Sequence, residues 1–287
     1  MLKKALKFVK IEHTLFSLPL FFAGALLSKP WAGWANVAWG RLGLIILTGA
    51  GARTAALALN RIIDARIDAR NPRTAIRELP SGALQRSQAW AIAGAGLVVY
   101  LLGAAALGPL CLLLSPIPLL VFAIYPLMKR FTWACHFGVG AGLALAPLGG
   151  ALGYEPVWPL AQAVWWLGAF AFFWVSGFDV LYALLDEDFD RHEGLYSIPS
   201  RFGKSTALDL GLVLHGAALL CLGAIVHHFL EPRVGDIAWF AMAPAAILLL
   251  LEQRFGYSLE PGSPFFSINA WIGVAVGFAV AVGVIAG

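Results

Sequence analysis

The sequence predicts an all-α polytopic membrane protein, with about nine transmembrane helices bundled around a central cavity. Three observations predict it. Of the 287 residues, 60% are hydrophobic and only 13% charged, with a mean hydropathy of +0.79; soluble domains carry about 25% charged residues. Apolar segments recur along the whole chain at lengths near the roughly 20 residues that cross a bilayer as helix. Apart from Arg53, the basic residues fall between those segments or at their ends, and overwhelmingly in alternate loops. No stretch is long and polar enough for a second domain, so residues 1–287 read as one intramembrane domain.

The elements follow in order. Lys3, Lys4, Lys7 and Lys10 precede an apolar run that has no small-residue cleavage site, so 14–28 is expected to remain as the first span. The second is 40–60. The third and fourth, 88–107 and 109–127, are divided by the turn pair Gly108-Pro109. Spans 133–153, 163–185, 208–229, 236–252 and 267–286 complete the nine. Pro19, Pro116, Pro118, Pro147 and Pro244 lie inside spans, where membrane helices tolerate proline.

Charge orients the bundle. The amino-terminal tail and the even-numbered loops hold sixteen Lys and Arg: Lys3, Lys4, Lys7, Lys10, Arg61, Arg66, Arg70, Arg73, Arg77, Arg86, Lys129, Arg130, Arg191, Arg201, Lys204 and Arg254. The opposite loops hold Lys29, Arg41 and Arg233. The positive-inside rule puts the first set in the cytoplasm, with the amino terminus. This bias accounts for the net charge of +4 and gives no reason to expect a nucleic-acid partner. Trp31, Trp34, Trp39, Trp158, Trp165 and Trp166 sit near span ends as an interfacial belt. Cys111, Cys135 and Cys221 have no metal-ligand spacing and read as buried apolar side chains.

Two acidic clusters carry the chemistry. Asn60, Asp64 and Asp68 end the second span at intervals of four, which places them on one helical stripe. Asp186 and Asp190 end the sixth span at the same interval, and Asp179, two turns before Asp186, is expected to join that stripe. Carboxylates are costly at membrane depth and mark an ion path, a metal or catalysis. Magnesium takes oxygen from one or two carboxylates and completes its shell with water and phosphate. The metal-ligand candidates are therefore Asn60, Asp64, Asp68, Asp186 and Asp190, for two Mg²⁺ ions bridged by a diphosphate. Arg73 and Arg77, within ten residues of Asp68, suit phosphate oxygens, whereas Arg66 and Arg70 are expected to face water. Arg201, in the SRFGK run after the second cluster, is a further substrate candidate. Arg53 lies inside a span two turns before Asn60, deep enough to hold the carboxylate of an organic acid. Tyr125 and Lys129, on the same side, could orient and meet a phosphate. Glu187, Asp188, His192 and Glu193 read as solvent-facing.

At these residues the chain resembles the UbiA superfamily of intramembrane prenyltransferases, over essentially its whole length. The N-x-x-x-D-x-x-x-D element stands as Asn60, Asp64 and Asp68, the D-x-x-x-D element as Asp186 and Asp190, and Y-x-x-x-K as Tyr125 and Lys129, with Arg53 as the helix-two arginine. The resemblance implies an enzyme in which two Mg²⁺ ions hold a polyprenyl diphosphate, the allylic C–O bond ionises and the carbocation alkylates an aromatic carbon. Asp64, Asp68, Asp186, Asp190 and Lys129 would be catalytic. Arg53, Asn60, Arg73, Arg77, Tyr125, Asp179 and Arg201 would bind substrate. It also implies a lateral, lipid-facing exit for the isoprenoid and a bacterial inner-membrane setting.

The NPRTA and YALLDED runs resemble the branch that prenylates aromatic acids for ubiquinone or menaquinone synthesis, typified by 4-hydroxybenzoate polyprenyltransferase. Tyr196 in GLYSIPSRFG and the opening KIEHTLFSLP depart from that type and resemble enzymes acting on a dihydroxynaphthoate. Both acceptors stay open. A transporter is the alternative of another class, but transporters place charged groups near the midplane on broken helices. Here the acids end spans beside arginine-rich loops.

Overall fold

The computed structural model describes residues 8, 11–29, 35, 37–260 and 264–285, with the side chains of 11–16 and 285 excepted. Lys3, Lys4, Lys7, Lys10, Trp31 and Trp34 lie outside the described residues, and so does the structural context of the expectations placed on them. Every regular element among the described residues is helical. In order these are α1 (Ile11–Leu27), α2 (Trp39–Asp68), α3 (Arg86–Leu107), α4 (Pro109–Leu114), α5 (Pro116–Met128), α6 (Cys135–Tyr154) and α7 (Gln162–Tyr182). After a 3₁₀ turn at Ala183–Asp186 come α8 (Glu187–His192), α9 (Ile198–Ile225), α10 (Glu231–Val234), α11 (Ile237–Gly256) and α12 (Phe265–Ile285). Lipid offers no partner for backbone N–H or C=O, and a helix satisfies both internally.

Eight of the nine expected spans are long and apolar enough to cross a membrane, and the first in the chain is the shorter helix α1. The protein is an integral membrane protein. Gly108, at φ +142°, separates α3 from α4 as the turn pair predicts, because a side chain is strained there. Pro116 then starts α5, so α4 and α5 share one crossing.

Two boundaries differ from expectation. The helix after the second cluster starts at Ile198, ten residues before the apolar span begins. Ser197 and Ser200 form a reciprocal cap there, with Ser200 N–H donating to Ser197 Oγ at 3.3 Å and Ser197 N–H to Ser200 Oγ at 2.9 Å. Gly203, at φ +81°, then kinks α9. The stripe expected to run from Asp179 through Asp186 to Asp190 is broken: α7 ends at Tyr182, and Asp186 closes a 3₁₀ turn just before α8. A 3₁₀ turn advances 120° per residue instead of 100°, so Asp186 swings off the Asp179 face.

Tight crossings fix the bundle. On α2 and α3, a Cβ at Gly96 would lie 2.7 Å from Ala55 N, and one at Gly51 would lie 2.8 Å from Tyr100 N. Small residues let backbones approach where no hydrophobic force between helices exists. Helix α7 forms the centre, with Leu167, Phe170, Trp174 and Leu181 fully buried. Leu102, Leu113, Leu220 and Phe240 point outward, as lipid-facing side chains should.

Candidate active site

Helix α2 carries Asp64 and Asp68, both buried, to the end of the bundle where α3, α6 and α9 begin and α5 and α7 end. Each carboxylate is met by a cation. Lys129 Nζ lies 2.6 Å from Asp64 Oδ2, and Arg130 Nη2 reaches Asp64 Oδ1 at 3.2 Å and the Ile63 carbonyl at 3.0 Å. Arg77 Nη1 donates to both Asp68 oxygens, at 2.8 and 2.9 Å. Lys129 is therefore anchored from α5 onto α2.

The loop after α2 bridges the two acidic clusters. Asn71 Nδ2 donates to Asp186 Oδ1 at 2.8 Å, and Arg73 Nε reaches the same oxygen at 2.8 Å. Arg73 Nη2 pairs with Asp186 Oδ2, and Nη1 donates to the Tyr182 hydroxyl. Burial pushes the Arg73 guanidinium down, and the bonds to Asp186 and Tyr182 outweigh it and hold it above its ordinary value. Outside this bridge, Arg70 pairs with Glu193 at 3.0 Å, so Glu193 is tied to the loop after α2 although expected in solvent. Asp190 lies within electrostatic reach of Asp186, Lys129 and His136. The two clusters, more than a hundred residues apart in sequence, form one site.

Behind them opens a cavity of about 590 Å³. Arg53, Asn60, Arg77, Tyr125 and Asp179 line it, as do Arg61 and Tyr182. Tyr125 is within electrostatic reach of Asp64, Arg53 and Asp179. Of the expected substrate residues, Arg73 and Arg201 do not line the cavity: Arg73 is held in the bridge to Asp186, whereas Arg201 is exposed, 3.8 Å above the Tyr196 ring. Arg66 and Arg70 are exposed, as expected.

Sequence reasoning missed five participants, among them Arg130, which meets Asp64 as described. Asn71 and Tyr182 meet Arg73 and Asp186 as described. Arg61, counted among loop charges, is buried and pairs with Glu78 at 3.2 Å. His136, at the start of α6, has Nδ1 2.7 Å from Asp179 Oδ2, while Ile198 N–H donates to its Nε2 at 3.1 Å. Nε2 must then be the bare nitrogen, so Nδ1–H donates to Asp179. The only signal for these residues was a polar side chain at a span end, which interfacial residues share.

The donor chemistry suits magnesium. Among the described residues, no three Asp, Glu, His or Cys side chains converge tightly enough to hold an ion alone. Hard oxygen donors are instead split between Asn60, Asp64 and Asp68 on α2 and Asp186 and Asp190 after α7. That division fits an ion that takes one or two carboxylates and fills its shell from water and a phosphorylated ligand.

Comparison with known proteins decides the family. The UbiA prenyltransferase family profile matches residues 17–273. The chain belongs to the UbiA prenyltransferase family. It is thus a transferase of prenyl groups. Among UbiA relatives, a 4-hydroxybenzoate octaprenyltransferase of Sodalis glossinidius is 31% identical over 249 residues, 85% of this chain and 83% of that one. A protein of the same name from Xanthomonas euvesicatoria is 31% identical over 80% of this chain and 76% of that one. The apo structure of a UbiA homolog from Aeropyrum pernix is 35% identical, with a TM-score of 0.83 over 95% of this chain and 98% of that one. A UbiA homolog from Archaeoglobus fulgidus bound to GPP and Mg²⁺ shares the fold, with a TM-score of 0.73 over 99% and 100% of the chains at 20% identity.

Proposed function

We propose that this UbiA-family enzyme transfers a polyprenyl group from polyprenyl diphosphate to an aromatic acid such as 4-hydroxybenzoate, with Mg²⁺, in quinone biosynthesis. One observation carries the reading: Asn71 and Arg73 join the two acidic clusters through Asp186 at the mouth of an apolar cavity that contains Arg53. The names of the relatives and the ligands of the Archaeoglobus homolog support donor, metal and acceptor class. Residues 1–287 would act as one intramembrane domain. Their basic loops would face the cytoplasm of a bacterial inner membrane.

Asp64, Asp68 and Asn60, with Asp186 and Asp190, would hold the two ions. Bound there, Mg²⁺ supplies positive charge that stabilises the departing diphosphate. Lys129, Arg73 and Arg77 are within reach of the same carboxylates and can turn to phosphate oxygens, a preorganised set of donors for developing negative charge. Arg53 grips the acceptor's carboxylate and Tyr125 borders it. The allylic C–O bond breaks with its electron pair leaving on the diphosphate. An aromatic carbon supplies the pair for the new C–C bond, and the ring then loses a proton.

The purified enzyme is tested with Mg²⁺, geranyl diphosphate and either 4-hydroxybenzoate or 1,4-dihydroxy-2-naphthoate, scoring released diphosphate and prenylated ring. Full activity in the double variant Asp64→Ala, Asp186→Ala sinks the assignment. Tyr196 and the opening segment favour the naphthoate as the second reading, and the acceptor with the higher kcat/KM decides between them.

A further inference from the structure

The departing diphosphate has its cations, but the proton that the ring gives up has no assigned acceptor. Among the described residues that line the cavity, Asp179 is the only carboxylate. Tyr100, Tyr125 and Tyr182 line it too, and a tyrosine hydroxyl ordinarily keeps its own proton at neutral pH. The other acids of the site are committed elsewhere. Asp64 is held by Lys129 and Arg130, Asp68 by Arg77 and Asp186 by Arg73, and all three are candidate metal ligands. A cation beside a carboxylate lowers its affinity for a proton.

Asp179 is held differently. It does not share a face with Asp186, and its partner is the imidazole of His136. Ile198 N–H donates to Nε2 of that ring at 3.1 Å, so the imidazole is neutral and meets Asp179 Oδ2 through Nδ1–H, at 2.7 Å. Such a partner orients a carboxylate without adding a full positive charge, as a third group orients the base in other sites. The Asp179 side chain keeps 28% of its surface open, against 6% for Asp64 and 6% for Asp68. The loop before α9 fixes the arrangement. Leu195 N–H donates to Asp190 O at 2.8 Å, Tyr196 N–H to Lys129 O at 2.8 Å and Ile198 N–H to His136. Tyr125 is within electrostatic reach of Arg53, Asp64 and Asp179, which puts Asp179 near both the arginine read as the acceptor's anchor and a carboxylate read as a metal ligand.

We infer that Asp179 is the base that takes the ring proton, and that His136 is the residue that positions it. This rests on the reading above that the acceptor is 4-hydroxybenzoate, which exchanges a ring hydrogen for the prenyl group. When a ring electron pair forms the new C–C bond, the attacked carbon carries both the prenyl group and its hydrogen, and the ring is cationic. The C–H bond then breaks, its electron pair restores the aromatic ring, and the proton passes to Asp179 Oδ1, because Oδ2 is engaged by His136. Asp179, now a neutral acid, returns the proton to water as the product leaves. The cationic ring is a strong acid, so a carboxylate is base enough.

The test compares 4-hydroxybenzoate with the same acid deuterated at both carbons beside the hydroxyl, using the full-length enzyme, geranyl diphosphate and Mg²⁺. Asp179→Asn is expected to lower kcat by about 10²- to 10⁴-fold, the usual worth of a general base, with both KM values near wild type. Its isotope effect should exceed that of the wild type, because proton loss then limits turnover. His136→Leu and His136→Asn both remove the acceptor for Ile198 N–H, and only the asparagine can still donate to Asp179. The leucine variant should therefore show a lower kcat and the larger isotope effect, and the asparagine variant should recover most of the rate. Lost activity in Asp179→Asn with the wild-type isotope effect would make Asp179 structural, and an unchanged rate would make the departing diphosphate the base; either overturns the inference. Complete loss of transfer overturns it too, since water and diphosphate remain as slower bases. Equal rates in the two His136 variants overturn the positioning role. A wild-type enzyme that does not prenylate 4-hydroxybenzoate overturns the functional reading first, and this one with it.

Discussion

Asp64 and Asp186 show how single residues acquire meaning from partners far away. Asp64 is held by Lys129 and Arg130 from the end of α5, and Asp186 by Asn71 and Arg73 from the loop after α2. Arg73 differs from Arg70 although both are loop arginines. Arg73 makes a multidentate, largely buried link, while Arg70 is 58% exposed in its pair with Glu193. Exposed pairs contribute little. Arg73→Met should therefore lower kcat by about 10²-fold through displaced ligands, with Arg70→Met staying within about fivefold in the same steady-state assay. If Arg53 holds the acceptor carboxylate, Arg53→Leu should raise the aromatic KM by about 10- to 100-fold, the worth of a charged hydrogen bond. The prenyl diphosphate KM should hardly move, and equal changes in both would assign Arg53 to structure. The sequence exposed the carboxylates because their spacing of four is local. Asn71, Arg130 and His136 stayed silent because their partners are 43 to 115 residues distant.

Among elements, the α2–α3 crossing positions the first acidic cluster. Gly51 and Gly96 bring the two backbones together, and any side chain at Gly96 meets Ala55 N, Gly51 O and Thr54. Gly96→Val should cost about 1–3 kcal/mol, seen as a lower melting temperature in detergent together with reduced activity. Gly94→Val is the control, since nothing lies within 4 Å of its added Cβ. An equal loss in both would mean that helix propensity and not the crossing is responsible. Opposite the site, Arg41 ties helix ends. Its Nη2 donates to Leu107 O at 2.8 Å, ending α3, and its Nε to Gly153 O at 2.7 Å, ending α6. Free carbonyls at a helix C-terminus favour a cation. This Arg is one of three basic residues that the charge count placed on the less basic side, and it caps helices there.

The whole molecule reads as a shell of lipid-facing apolar side chains around a polar mouth and a long apolar cavity. Its orientation is expected from sixteen basic residues against three. Ser81, exposed in the loop after α2, and Asp236, exposed between α10 and α11, lie on opposite sides of that scheme. Ser81→Cys should react with a membrane-impermeant thiol reagent only in inside-out vesicles, and Asp236→Cys only in right-side-out ones. Cys111, Cys135 and Cys221 are buried and give little background. The reverse labelling pattern would invert the topology.

Hydropathy and carboxylate spacing give the helical type of the spans and name the acidic side chains, because each is a property of neighbours along one helix. Packing alone decided that Asp186 leaves the helical stripe to meet Asn71 and Arg73, that Arg201 stays outside, and that His136 holds Asp179. Those outcomes depend on which helix ends meet, and helix ends meet through contacts between residues that the chain itself keeps far apart.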